Sequence, residues 1–421
     1  MKQKLEAIEE RMKRKFGLED YTLERTHLHR EVEAFEQTHY VYNMEWFPEG
    51  SGPVEDDLNP EGTASIDVDV HTGEVRSLIF VSGVSKAKTP TLPNEQDVIH
   101  WVEQETGLTH REHFFLKSKQ DRTYMFYSAV NGIPTNPSGI ISVEVNDEDE
   151  LVFFTIHGYF PEVHDVQDES FSLSLEDIPD LIKDQLMLVN VPLMETKRFE
   201  SVYALEEIYI TNDGKKTRPF HFTDSVHLVP IGETMTYEPR VDERFQEEKI
   251  DLSDEVTVEQ AEKREPHPDL IPISEEMVEN TRDAVHRFLQ VVYPVDSGEW
   301  ILQSVERQSG YLLARLEIAK KTNDFYKRKL NVFLNENGTR ALTYIENDFF
   351  KEMTADFEKA EAATLTKQEA LNLLNDKITL TPVYVLDHAK KQYTLYGMLD
   401  CNYGVDAHTG EVKPLSEVGV G

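Results

Sequence analysis

Apolar residues along this chain switch between two spacings, and the switch recurs in the same order about five times. Leu5, Ile8, Met12 and Phe16 stand three or four apart, which places them on one helix face, and Gly17 follows where a C-terminal cap belongs. From residue 21 to residue 47 the period becomes two and β-branched and aromatic types dominate, predicting two strands or one long bent ribbon. A Gly- and Pro-containing loop covers residues 48–62. Residues 64–70 and 75–81 then alternate as partner strands across the tight turn His71-Thr72-Gly73.

The second unit opens at Asn94, a capping residue for a helix carrying Val98, Trp101 and Val102 and stopped at Gly107. Strands follow at 114–116, 124–130, 139–145 and 151–156. A third opens at Ser174, with Asp177 three residues on and a stripe through Ile178, Leu181, Ile182 and Leu186. Its strands are predicted at 199–210 and 220–229, with Asn212-Asp213-Gly214 as a hairpin turn. Ser274 opens the fourth helix, and strands are expected at 300–303, 312–318, 329–334 and 341–344. Thr366 and Glu369 form a capping-box pair at the fifth, followed by strands at 383–387, 392–398, 402–405 and 412–415. One supersecondary unit repeated along a chain is the mark of internal duplication.

The pattern fails between residues 231 and 271. From Glu238 to Glu265 there are eleven acidic and five basic residues with few large apolar ones, and Pro266, Pro268 and Pro272 close the stretch. It reads as an acidic, Pro-containing linker. The alternative is a helix over residues 256–264 packed on one domain. The expected fold is therefore α+β, with tandem helix-plus-antiparallel-sheet modules in two lobes: about three modules in residues 1–230 and about two in 272–421.

Composition changes this picture in three ways. Of 421 residues, 43 are Lys or Arg and 79 are Asp or Glu, so the net charge of −36 repels phosphate backbones and anionic lipid, and no nucleic-acid partner is expected. The single Cys401 excludes a disulfide framework and any multi-thiolate metal site, and it reads as a buried small hydrophobe. The N-terminus lacks the apolar core of a secretory signal and no stretch is long enough to span a bilayer, so the chain is expected to be cytoplasmic, without membrane insertion.

One local repeat is sharp. Val68-Asp69-Val70-His71-Thr72-Gly73-Glu74-Val75 and Val405-Asp406-Ala407-His408-Thr409-Gly410-Glu411-Val412 differ at one position in eight. Asp bonds the backbone two residues on, and Gly supplies a positive φ. Asp69, His71, Gly73 and Glu74, with Asp406, His408, Gly410 and Glu411, thus read as a structural turn used twice. Residues 145–151 and 334–338 are looser copies.

This ending resembles that of PepSY-like modules, small helix-plus-sheet units of the PepSY/cystatin-like kind. The stretch Val130-Asn131-Gly132-Ile133-Pro134, followed by the strand at 139–145, resembles the signature of the YcdB/YcdC repeat family of Gram-positive bacteria, and residues 364–415 resemble a further copy. Asn131, Gly132, Ile133 and Pro134 carry the most specific part. The resemblance implies inhibitory or chaperone-like roles alongside peptidases, and it supplies no catalytic residues. Two departures stand out: the second unit replaces Thr-Gly by Asn146-Asp147-Glu148-Asp149, and the third has no recognisable ending.

No catalytic residue is signalled. His27 and His29 share a strand face and could chelate a metal with His39 or Glu31, but no diagnostic third ligand follows, and solvated surface histidines are the simpler reading. His110-Arg111-Glu112-His113 has the wrong spacing for a zinc-peptidase helix, and no phosphate loop or nucleophile elbow is present. No metal and no cofactor are expected. The leading expectation is a non-enzymatic protein that binds a peptide or peptidase through exposed sheet edges. The alternatives are a hydrolase or metal-dependent enzyme with a site between the lobes, and an envelope or spore scaffold.

Overall fold

A computed structural model describes residues 1–51, 58–220, 228–240, 242–319, 326–388 and 390–418. The fold is α+β, built of helices and large antiparallel sheets. Its residues divide into two compact units, and the division differs from the expected lobes: the first unit is Met1–Asp168 with Ser253–Leu270 and Val383–Thr394, and the second is the remainder.

In the first unit, helix Lys2–Lys15 buries Leu5, Ile8 and Met12, and helix Glu95–Thr106 buries Val98, Ile99 and Val102. Asn94 accepts from the amides of Gln96 and Asp97 at 3.0 and 3.1 Å, which satisfies donors that the first helical turn leaves unpaired. The strands are β1 (Tyr21–Glu33), β2 (Gln37–Pro48), β3 (Ala64–Asp69), β4 (Val75–Phe80), β5 (Phe114–Gln120), β6 (Thr123–Val130), β7 (Ile133–Asn136), β8 (Ile140–Val145) and β9 (Leu151–His157). They lie in the order β1-β2-β3-β4-β9-β8-β6, with β5 on the free side of β6. The β4–β9 seam, where Leu78 faces Phe154, fuses the first two modules into one sheet. Both helices share one core with it.

Two distant segments complete this unit. Arg30 N–H donates to the Asp254 carbonyl at 3.2 Å and Val256 N–H to the Leu28 carbonyl at 2.9 Å, so residues 254–256 extend the sheet beyond β1. The helix Val258–Lys263 follows, held by a Thr257/Gln260 capping box, with Ala261 in the core. Tyr384 and Val385 pair in parallel with Thr135 and Asn136.

The second unit contains β10 (Leu186–Leu193), β11 (Arg198–Leu205), β12 (Ile208–Thr211), β13 (Thr217–Pro219), β14 (Leu228–Thr234), β15 (Trp300–Gln308), β16 (Tyr311–Ile318), β17 (Lys329–Leu334), β18 (Ala341–Glu346), β21 (Tyr403–Asp406) and β22 (Val412–Pro414), together with the part of β20 (Gln392–Asp400, following β19 at Thr379–Asp387) from Leu395 onward. Strands β14 to β18 form an antiparallel meander under helix Glu275–Val292, whose Ala284, Val285, Phe288 and Leu289 meet Trp300, Leu302 and Val332 in one core. Full burial of each such large side chain contributes roughly 1.5–3 kcal/mol.

The third and fifth modules merge here. Val202 faces Asp406 across β11 and β21, Ile208 faces Leu399 across β12 and β20, and Leu186 and Leu205 share a core with Leu374 and Val405. That pairing moves residues 169–230 out of the expected first lobe. The strand expected at 220–229 is not where the hairpin closes: β12 pairs with Thr217–Pro219, which ends before Phe220, residues 221–227 lie outside the described residues, and 228–229 open β14.

The expected linker at 231–271 is a correction. Residues 231–234 belong to β14, and the following stretch docks on the second unit through Arg240 N–H on the Gln290 carbonyl (2.9 Å) and Glu248 N–H on the Leu342 carbonyl (2.8 Å). Residues 253–270 dock on the first. The few apolar residues decide this: Met235, Tyr237 and Ala261 are buried, and Phe245 meets Phe288 edge-on at 5.0 Å. The helix alternative describes the Val258–Lys263 segment.

Candidate functional site

The repeated turn has the same backbone wiring in both copies. Asp69 Oδ1 accepts from the amides of His71 and Thr72, both at 2.7 Å; Asp406 Oδ1 accepts from His408 and Thr409, both at 2.8 Å. Gly73 and Gly410 sit at φ 79° and 78°, a region that costs an L residue roughly 1–2 kcal/mol. Thr72 and Thr409 hydroxyls accept from the amides of Glu74 and Glu411.

The surroundings differ. Asp69 is buried and its Oδ2 meets His39 Nδ1 at 2.9 Å; His39 Nε2 lies 3.3 Å from Glu33, which also pairs with Arg76 at 2.5 Å. Burial opposes ionisation of Asp69, but the bonds from His39 and the Thr72 and His71 amides outweigh it and hold the carboxyl well below its ordinary range. The bond to Asp69 in turn raises His39. Arg11 donates to the Gly73 carbonyl and Lys4 to that of His71 at 3.2 Å, so this turn docks on its helix by charge. His71 stacks edge-on against Tyr40 at 5.7 Å, and burial lowers its pKa. At the second turn Gly410 instead faces Leu365 and Leu373, and exposed His408 reaches Glu361 at 3.0 Å.

The looser copies close by the same logic. Asn146 Oδ1 accepts from Glu148 and Glu150, with Asp149 taking the positive φ (63°). Asn335 Oδ1 accepts from Arg340, with Gly338 at φ 73°. Asn131 and Gly132 both have positive φ, 51° and 82°, and form the two-residue hairpin that pairs Val130 with Ile133 and Ala129 with Pro134. This motif is a strand connection.

The candidate metal set is only partly brought together: His29 and Glu31 meet at 3.2 Å, and His39 is drawn elsewhere. His27 and His29 stack at 5.7 Å, but His27 pairs with Glu255 and His29 with Glu31, while His39 turns to Asp69. Among the described residues no group of three His, Cys, Asp or Glu is placed to hold a metal ion. Cys401 is buried, and burial pushes its thiol up.

Three features escaped the sequence reading. The outer side of residues 115–120 in β5 pairs with no strand among the described residues, and Lys117 and Lys119 of this edge strand lie over its neighbour β6, their ammonium groups 5.7 and 4.8 Å from the rings of Tyr127 and Tyr124. The only signal was the polar run Lys117-Ser118-Lys119-Gln120 after an apolar start. Glu207 shares a hydrogen bond with Asp400, and burial followed by that neighbour pushes it up to about 7. A cleft of about 310 Å³ in the second unit collects three arginines.

No family model matches the chain, and no curated protein matches it. Among solved structures, the C-terminal domain of YpeB from Bacillus megaterium matches at a TM-score of 0.24 and 10% identity, over 81% of this chain and 96% of that one. At that score the likeness bears no weight for function. No helix among the described residues is long and apolar enough to cross a membrane.

Proposed function

We propose that this chain is a non-catalytic binding protein of the PepSY-like type that takes up an extended, acidic peptide segment along the free edge of β5. The observation that carries the reading is that edge itself. Backbone groups on the open side of residues 115–120 have no strand partner among the described residues, and such a row is a template for another strand. The first unit already completes its opposite edge this way, with residues 254–256 added to β1. Lys117 and Lys119 deter a neutral or basic strand and favour carboxylates, in a chain that is otherwise strongly acidic. The motif resemblance at residues 68–75, 130–134 and 405–412 points to a peptide or peptidase as the partner.

The test is amide hydrogen exchange with an N-acetylated, C-amidated peptide of alternating Val and Glu, and a Val/Lys peptide as control. Protection confined to residues 115–120, given by the Glu peptide and abolished by Lys117→Glu/Lys119→Glu, is expected. Equal protection by both peptides, or none at that strand, removes the proposal.

A catalytic reading has one observation in its favour, the Glu207–Asp400 pair, since a carboxyl titrating near neutrality beside another suits proton transfer. Glu207→Gln that leaves every activity in a hydrolase panel unchanged counts against it.

A further inference from the structure

The cleft in the second unit lies between helix Glu275–Val292, the start of β18 and the strap at residues 243–248. Its lining is mixed, and the apolar part is small: Ala284 and Phe288 are buried, Val291 is half-buried, and Phe245 closes one side by packing edge-on against Phe288. Its rim is charged. Arg244, Arg287 and Arg340 face it together with Glu243 and Glu248.

The two carboxylates are already engaged. Glu248 pairs with Arg340, and Glu243 pairs with Arg240 at 3.2 Å, an arginine behind the rim. Arg287 gives one Nη2 bond, 3.0 Å, to the Thr339 carbonyl, and the rest of its five-donor fork meets no acceptor among the described residues. No ion pair or hydrogen bond joins Arg244 to another described residue. Two guanidinium groups with donors to spare thus stand over this small apolar part.

The charge of −36 on the whole chain does not cancel this. At physiological ionic strength a charge is screened over about 8 Å, so a bound group feels the arginines beside it far more than carboxylates on distant strands. A guanidinium fork matches a carboxylate in shape as well as charge. The volume of about 310 Å³ lies at the small end of the roughly 300–1,000 Å³ typical of small-molecule sites.

We infer that this cleft binds a small organic carboxylate with an apolar chain, its head held by Arg244 and Arg287 and its chain lying on Ala284, Phe288 and Val291. This site is independent of the β5 edge, so either can fail without the other.

Octanoate titrated calorimetrically into the full chain is the test, with acetate supplying the head alone and octylamine the chain with opposite charge. Saturable binding of one octanoate per chain is expected, uncompeted by acetate or octylamine. Arg244→Gln/Arg287→Gln should weaken it about tenfold or more, the effect of losing a charge-assisted hydrogen bond. Arg244→Gln alone, which breaks no contact with a described residue, should weaken it in the same direction, so misfolding of the double variant does not decide the outcome. Absence of saturation, equal competition by octylamine, or unchanged affinity in Arg244→Gln overturns the inference.

Discussion

The turns at Gly73 and Gly410 are nearly the same eight residues with nearly the same hydrogen bonds, yet they are fastened to their modules by different physics. The first is locked through a buried carboxylate that faces His39 and through a carbonyl row met by Lys4 and Arg11. The second rests on Leu365 and Leu373 and keeps its histidine at the surface. A duplicated sequence therefore conserves the local bend, while the strand and helix beneath it set how much that bend contributes to stability.

Removing the carboxylate should separate the copies most. Asp69→Ala strands His39 beside Glu33 and leaves two amides without their acceptor, a loss expected at about 3 kcal/mol, whereas Asp406→Ala loses two half-exposed bonds worth about 1 kcal/mol. Equilibrium urea unfolding of the two variants measures this, and equal losses would break the distinction. Gly73→Ala and Gly410→Ala should instead match, each costing about 1–2 kcal/mol, because φ is the same in both. A clear excess at Gly73 would show that the Arg11 guanidinium, 3.0 Å from a new Cβ, cannot give way.

The smallest effect is a pH slope. His39 is raised in the folded state, so its contribution is complete below the ordinary histidine value near 6.5 and is lost as pH rises through the higher folded value. Asp69 is lowered, so its contribution is present above the ordinary aspartate value of 3.8 and fades as pH falls toward the folded one. Hydrogen exchange at the His71 and Thr72 amides should therefore quicken, beyond the intrinsic pH dependence, as pH rises above 6.5, and His39→Gln should remove that excess. The corresponding amides at His408 and Thr409 serve as the control.

Period and capping made most elements legible in the sequence, because helix faces such as Leu5, Ile8 and Met12 and turn residues such as Gly73 act locally. What stayed hidden was register and long-range pairing. His39 joins Asp69 because Val41 stands opposite Asp69 and His39 lies two residues along the same strand face, a diagonal that only the β2–β3 register fixes. Likewise nothing near residues 186–205 announces that β11 seeks β21, two hundred residues away. The acidic stretch read as a linker because its apolar residues are few, yet those few are the ones that dock.

The segment that adds to β1 also bears on how the chain is born. During synthesis the sheet of residues 1–168 emerges with its edge uncovered, and its last contributors leave the ribosome only after Leu270 and Thr394. At about 5–20 residues per second the interval from Asp168 to Val256, the last residue that covers β1, is roughly 4–18 s. For that time the nascent sheet presents at β1 an open backbone row that the mature protein fills from within, which makes early translation the period when the chain most needs a chaperone or a sparse supply of competing strands.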